Sequence, residues 1–112
     1  MQTAFVWFHN NSENAKAAAS FYEQLVGWKP SAGPQGLTML SGAAGPVAAV
    51  AAADGGSPGW IPYLQVDDVD AATAKATKLG AEVLAAKTRG PAGEFTIVRD
   101  PGGAAVALWQ KA

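Results

Sequence analysis

The sequence predicts an α+β fold of two tandem βαβββ modules, and three observations predict it. The second half of the chain repeats the order of the first: a short apolar strand, a capped helix stopped by glycine, then three strand-like runs. Apolar residues alternate with a period of two inside the strands and recur at helical spacing between them. A stretch of residues that turn easily, Asp54-Gly55-Gly56-Ser57-Pro58-Gly59, separates the halves. At 112 residues, 49% hydrophobic and 15% charged, the chain is long enough for one sizeable core and too short for two independent ones. Residues 1–53 and 60–112 are therefore expected to be modules of a single domain spanning 1–112.

In the first module, Ala4-Phe5-Val6-Trp7-Phe8-His9 reads as a strand. Asn10-Asn11-Ser12-Glu13 follows with short side chains that accept hydrogen bonds from the free N–H groups of a helix start. The helix runs from Asn14 to Val26, and Gly27 supplies the left-handed turn that ends it. Trp28 to Pro30, Leu37 to Leu40 and Pro46 to Ala52 are the remaining strands, with a turn at Gln35-Gly36. In the second module, Trp60 to Val66 is the strand, Asp67-Asp68 the cap, Val69 to Leu79 the helix and Gly80 its stop. Glu82 to Ala86, Phe95 to Arg99 and Ala104 to Trp109 complete it, joined by turns at Gly90-Pro91-Ala92-Gly93 and Asp100-Pro101-Gly102-Gly103.

Alternation assigns the strand faces. Val6 and Phe8 oppose Phe5, Trp7 and His9; Leu64 and Val66 oppose Ile61, Tyr63 and Gln65; Val106 and Leu108 oppose Ala105, Ala107 and Trp109. One face of each is aliphatic or Phe, and the helices need such a face. Ala18, Phe21, Tyr22 and Leu25 on the first helix, and Val69, Ala72, Ala76 and Leu79 on the second, form apolar stripes expected to cover it. The other face mixes large aromatics, alanines and a few polar tips, the make-up of a ligand cleft.

Composition excludes several classes of function. A net charge of −1 with scattered Lys and Arg gives no field for a polyanion, so nucleic acid is not an expected partner. Cysteine is absent, which removes disulfides and thiolate nucleophiles. The longest apolar run, Val47 to Ala53, is too short to span a bilayer, so no membrane partner and a soluble, cytoplasmic protein are expected. Gly102-Gly103 opens a strand rather than a helix, unlike a phosphate loop or dinucleotide fingerprint.

Three motifs together carry a family resemblance. Ser20-Phe21-Tyr22-Glu23-Gln24-Leu25-Val26-Gly27-Trp28, Val66-Asp67-Asp68-Val69-Asp70-Ala71 and Asp100-Pro101-Gly102-Gly103, in this order and at these separations, resemble the vicinal oxygen chelate superfamily, which includes glyoxalase I, bleomycin-resistance proteins, fosfomycin-resistance enzymes and extradiol dioxygenases. The closing Gly103-Ala104-Ala105-Val106-Ala107-Leu108-Trp109-Gln110 is similar to a glyoxalase-like subgroup. The resemblance implies modules whose sheets curl into an open, mixed sheet around a cleft, commonly in a dimer that completes or exchanges the modules. It also implies a divalent metal held by His or Glu on the first and fourth strand of each module. Those four places fall on Trp7, Ala49, Ile61 and Ala107, none of which offers a metal a lone pair. No metal and no cofactor are therefore expected.

Other donors are few. His9 is the only histidine, two residues beyond the expected ligand on the same face. Glu94 is the one carboxylate placed to reach the cleft from a strand end; with His9 and Gln65 it would make a poor facial site. His9 reads either as an imidazole bonded to the adjacent loop or helix start, or as a general base. Asp67 and Asp68 read as strand exit and helix cap, and Arg89 as a loop cation that is either solvated or edges the cleft.

The expected cleft is lined by Phe5, Trp7, His9, Ala49, Ile61, Tyr63, Gln65, Ala105, Ala107 and Trp109. Large rings beside small side chains leave a slot for a flat or hydrophobic guest, which Tyr63 and Gln65 orient by hydrogen bonds; the competing reading has the same rings filling a packed core. Two functions follow: a metal-free protein that binds a small, partly aromatic molecule, or a lyase, isomerase or oxygenase that uses His9 as base or a non-standard metal site. Apolar edges on a sheet of this size favour a homodimer.

Overall fold

A computed structural model describes residues 3–52, 58–90 and 92–112. Residues 53–57, which include the first four of the expected linker 54–59, and Pro91 lie outside the described residues. The elements are β1 (Phe5–Ser12), α1 (Ala15–Val26), β2 (Lys29–Ala32), a 3-10 turn (Pro34–Gly36), β3 (Thr38–Gly42), β4 (Gly45–Ala52), β5 (Gly59–Gln65), α2 (Val69–Lys78), β6 (Glu82–Gly90), β7 (Gly93–Arg99) and β8 (Ala105–Lys111). The order is βαβββ twice, as expected, and the class is α+β. The chain forms two compact units, Trp7–Ile61 and Pro62–Ala112 together with residues 3–6, and passes between them inside β1 and β5.

In the unit Trp7–Ile61 the strand order is β2-β3-β4-β1. β1 runs parallel to β4 in the register His9↔Ala49 to Ser12↔Ala52, while β3 lies antiparallel between β2 and β4. This ladder carries β1 through Asn11 and Ser12, where the sequence suggested a cap. Capping falls to Asn14 instead, whose Oδ1 accepts from Ala17 N–H at 3.0 Å. Gly27 ends α1 at φ 79°, a conformation that costs glycine little.

α1 packs on β2, β3 and β4 through Ala15, Ala18, Ala19 and Tyr22, around a core of Ala19, Leu40 and Val50. Three alanines let the helix lie close to the sheet, and that rotation corrects the expected stripe. Phe21 is 56% and Leu25 62% exposed, so neither is core. Phe8 on β1 is left uncovered by this helix at 42% exposure, and Val6 is also exposed. Tyr22 ties the unit together: its ring stacks on Trp28 at 5.7 Å, and its hydroxyl accepts from Trp60 Nε1–H at 3.2 Å.

In the second unit the order is β5-β8-β7-β6, with β5 parallel to β8 and the rest antiparallel. α2 covers one face through Val69, Ala72 and Ala76, against Leu64, Val66, Val98, Val106 and Leu108. Leu79, the expected fourth member of that stripe, is the C-terminal cap residue and 67% exposed, because the helix ends before it. The helix start is capped twice: Asp68 Oδ1 accepts from Ala71 N–H at 3.0 Å, and Gln110 Oε1 from Val69 N–H at 2.8 Å. Asp100 Oδ1 accepts from the N–H groups of Gly102 and Ala104, which sets the β7–β8 turn. β6 continues to Gly90, past the expected Ala86; its polar end, Lys87-Thr88-Arg89, hid the strand because both sides of this outer strand are largely exposed.

Candidate functional site

The helix-free face of the second unit follows from register. Because α2 covers Leu64, Val98, Val106 and Leu108, alternation sends their neighbours to the opposite side. Tyr63, Ala107 and Ile97 stand side by side across β5, β8 and β7, and Gln65, Trp109 and Phe95 form the next row. Ala105 pairs with Arg99 in the row beyond. The Tyr63 and Phe95 rings lie 5.4 Å apart, tilted by 53°. Ala107 and Tyr63 are buried, Trp109 and Ala105 half-buried and Gln65 exposed, so the wall is closed at its centre and opens toward its ends. Phe5 is exposed on the neighbouring strand, where the carbonyl of Ala4 accepts from Gln65 N–H at 3.1 Å.

Two details shape this face. Gly93 has no room for a side chain: a Cβ there would collide with the Gln110 carbonyl oxygen and stand 3.0 Å from Trp109 Nε1, so glycine lets the indole lie where it does. At the other end Arg99 Nη1 meets Glu82 Oε1 at 2.8 Å, an exposed ion pair that leaves guanidinium donors for a further acceptor. Burial pushes the Tyr63 phenol up to about 12, so it stays a neutral hydrogen-bond donor at physiological pH.

In the unit Trp7–Ile61 the corresponding row is His9, Ala49 and Met39, with Trp7 two residues earlier along β1 on the same side. Ala49 is fully buried; Trp7, His9 and Ile61 are half-buried. The Met39 side chain lies over Gly33, where a Cβ would stand 2.6 Å from Met39 Cγ. Burial lowers the His9 pKa from its ordinary 6.5, which holds the imidazole neutral at pH 7.

The expected site residues thus fall into two groups, each in its own unit: Trp7, His9, Ala49 and Ile61 in one, Phe5, Tyr63, Gln65, Ala105, Ala107 and Trp109 in the other. Phe95, Ile97 and Met39 were missed by sequence reasoning. Their signal was the alternation along β7 and β3, which becomes informative only with the register against β8 and β4.

Glu94 is a correction. It shares the helix-bearing face with Thr96, whose hydroxyl is 2.7 Å from that of Thr73 on α2, and so points away from Gln65. Its carboxylate lies 4.0 Å from Lys87 Nζ and 3.8 Å from Arg89 Nη2. Lys87 also holds Asp70 at 3.1 Å, and that bond raises the lysine pKa. Arg89 is the solvated cation of the two readings, ending β6 with its side chain 82% exposed.

Over residues 7–109 the chain matches the model of the glyoxalase-like domain. It belongs to the glyoxalase-like family. The CFP32 protein of Mycobacterium tuberculosis, provisionally named a glyoxylase, is 38% identical over 117 residues, which cover 93% of this chain and 44% of that protein. The anthracycline biosynthesis protein DnrV of Streptomyces peucetius is 31% identical, covering 94% of this chain and 46% of that one. The chain therefore spans less than half the length of these curated relatives. Among solved structures, a glyoxalase/bleomycin resistance protein/dioxygenase superfamily member from Vibrio splendidus superposes with a TM-score of 0.69 at 14% identity, covering 99% of this chain and 100% of that one. Methylmalonyl-CoA epimerase from Mycobacterium tuberculosis gives 0.62 at 18% identity, covering 96% and 87%. This glyoxalase-like chain has the fold of those proteins.

The metal implied by the superfamily does not fit its residues. Trp7, Ala49, Ile61 and Ala107 do lie on β1, β4, β5 and β8, the first and fourth strands of the modules. An indole, two methyls and a sec-butyl group supply no donor there. Among the described residues no group of three or more His, Cys, Asp or Glu side chains is arranged to hold an ion, and no helix is long and apolar enough to cross a membrane.

Proposed function

We propose that this glyoxalase-like protein binds a small, partly aromatic or hydrophobic molecule and does so without a metal. One observation carries the reading: the helix-free face of the second unit sets Tyr63, Phe95 and Trp109 around the methyl groups of Ala105 and Ala107. Rings beside small side chains present flat apolar walls to a flat guest, and a neutral phenol with an exposed amide, Gln65, orients its polar atoms. Trp7 and the neutral imidazole of His9 offer similar chemistry on the helix-free face of the other unit, taken by itself. A relative named an anthracycline biosynthesis protein is in keeping with a small-molecule role.

Fluorescence tests it, since the chain has four tryptophans. A panel of planar aromatic compounds is titrated against the protein; at least one quenches the emission saturably, and Trp109→Ala weakens that response. No saturable response from any compound refutes the reading. Zn²⁺, Mn²⁺ and Mg²⁺ leave the melting temperature unchanged, whereas a saturable rise with any of them overturns the metal-free part.

A second reading, an enzyme with His9 as general base, is favoured by the burial that keeps this imidazole neutral. His9→Gln separates the two: under the binding reading the wild type turns over none of the compounds that quench it and the variant changes only affinity, whereas an enzyme turns one over and loses that turnover in the variant while still binding.

A further inference from the structure

The helix-free face of the second unit ends in an ion pair. Val98 packs against α2 and Thr96 meets Thr73 on that helix, so alternation puts Phe95, Ile97 and Arg99 of β7 on the other side. Arg99 stands between Ala105 of β8 and Glu82 of β6, and its Nη1–H donates to Glu82 Oε1 at 2.8 Å. A guanidinium has five donors, so this bond leaves others for a guest. Phe95 and Ile97 are half-buried, as is Ala85 beside Ile97, and they form an accessible track from the Phe95 ring to Arg99, four residues or about 14 Å of strand. Neighbouring charges are engaged elsewhere. Lys87, Arg89 and Glu94 pair with one another and with Asp70 on the helix-bearing side, and Lys111 lies on the helix-free face at its far end, opposite Gly93.

We infer that the Arg99–Glu82 pair sets the class of guest: an aromatic molecule ending in a neutral acceptor, a carbonyl oxygen that the guanidinium donates to, in preference to an aromatic acid. The inference rests on the binding reading above and supplies the polar end of its guest. An unpaired guanidinium would favour a carboxylate, which matches its fork. Glu82 changes that preference. Its carboxylate offsets the charge of Arg99 and repels a second carboxylate brought to the same donors, whereas a carbonyl oxygen meets little such repulsion. Arg99 therefore holds the guest's oxygen, and Glu82 determines which kind of oxygen it is.

Three probes that share a bicyclic body and differ in the end group test it: 2-acetylnaphthalene, 2-ethylnaphthalene and 2-naphthoate, with dissociation constants read from tryptophan quenching. The wild type binds the ketone about tenfold more tightly than the hydrocarbon, the low end for a hydrogen bond to a charged group because the pair is partly exposed. It binds the naphthoate no better than the ketone. Arg99→Met abolishes the preference for ketone over hydrocarbon, and Glu82→Gln tightens naphthoate several-fold while leaving the hydrocarbon unchanged. Lys111→Met, an equal loss of charge at the far end of the face, keeps the wild-type ratio of ketone to hydrocarbon. All three variants keep the wild-type circular dichroism, since an exposed pair contributes little to stability. Equal binding of ketone and hydrocarbon by the wild type, a preference that survives Arg99→Met, or a naphthoate affinity unmoved by Glu82→Gln overturns the inference and leaves the aromatic wall standing. Absence of saturable quenching by all three probes overturns it too, and the wider planar panel then decides whether the aromatic wall falls with it.

Discussion

Replacing Tyr63 by Phe tests whether the centre of the proposed binding wall is as dry as its burial implies. Tyr63 as a whole residue is 6% exposed, and burial raises the phenol pKa from 10.0 to about 12. The folded chain therefore holds this proton after the unfolded chain has released it. The sign follows: the contribution to stability is complete below the unfolded value of 10.0, declines as pH rises from there, and is gone above about 12. Two units correspond to about 2.7 kcal/mol, an upper bound because any residual water contact screens the phenolate. Urea unfolding of wild type and Tyr63→Phe between about pH 9 and pH 12 measures the difference, with other alkaline titrations common to both proteins. The wild type loses about 2 kcal/mol more than the variant across this window. Absorbance titration of a Tyr22→Phe variant, in which Tyr63 is the only phenol, shows ionisation displaced toward the same high value. Equal alkaline losses in the two proteins, or a Tyr63 that ionises near its ordinary value, would refute the reasoning and with it the neutral donor assigned to the site.

His9 has the opposite pH window: its lowered pKa makes it resist protonation in the fold, so its contribution is complete above 6.5 and declines as pH falls below that value, and NMR of the single histidine should show a midpoint below 6.5. Leu40→Ala removes a fully buried side chain from the Ala19–Val50 core and should cost about 2–5 kcal/mol in urea unfolding, whereas Phe21→Ala, at an exposed position, should cost well under half of that in the monomer. Gly93→Ala forces a Cβ against the Gln110 carbonyl and the Trp109 indole, so it should lower the melting temperature and shift the tryptophan emission, while the control Ala92→Gly should change emission little.

The order of elements was legible because it rests on local chemistry. Asp68 at the second helix start, Gly27 and Gly80 past the ends, and Asp100 before two glycines each announce a cap or turn through their own hydrogen-bonding or backbone freedom, whereas the first cap, expected within Asn10–Glu13, falls on Asn14 because β1 runs on to Ser12. Which helix residues are buried was less legible. Ala18, Phe21, Tyr22 and Leu25 and the observed Ala15, Ala18, Ala19 and Tyr22 are both valid apolar stripes, a fraction of a turn apart. Hydrophobicity favours the first, and closeness of approach, which only small residues permit, selected the second. β6 escaped in part for a related reason: an outer strand with exposed sides lacks the alternation that identifies its inner neighbours.

The site shows the same division. Alternation along one strand places Tyr63 with Gln65 and Ala105 with Ala107, because a strand's two sides are fixed by its own geometry. It cannot tell that Phe95 stands beside Trp109, since that depends on hydrogen-bonded register between strands, set here by the Gly93 end of β7 and the turn at Asp100. Register also exposes a correspondence between the units: His9 sits opposite Ala49 across a parallel pair in one, and Tyr63 opposite Ala107 across a parallel pair in the other. In both, a buried methyl on the fourth strand faces a ring that burial holds neutral, the imidazole by lowering its pKa and the phenol by raising it. Where the superfamily resemblance implies charge concentrated on an ion, Ala49 and Ala107, each in its own unit, stand opposite a ring without formal charge. Within each unit, a neutral, directional ring beside a small side chain is what the proposed binding of an uncharged aromatic molecule asks for, and it does not reproduce the field of a divalent cation.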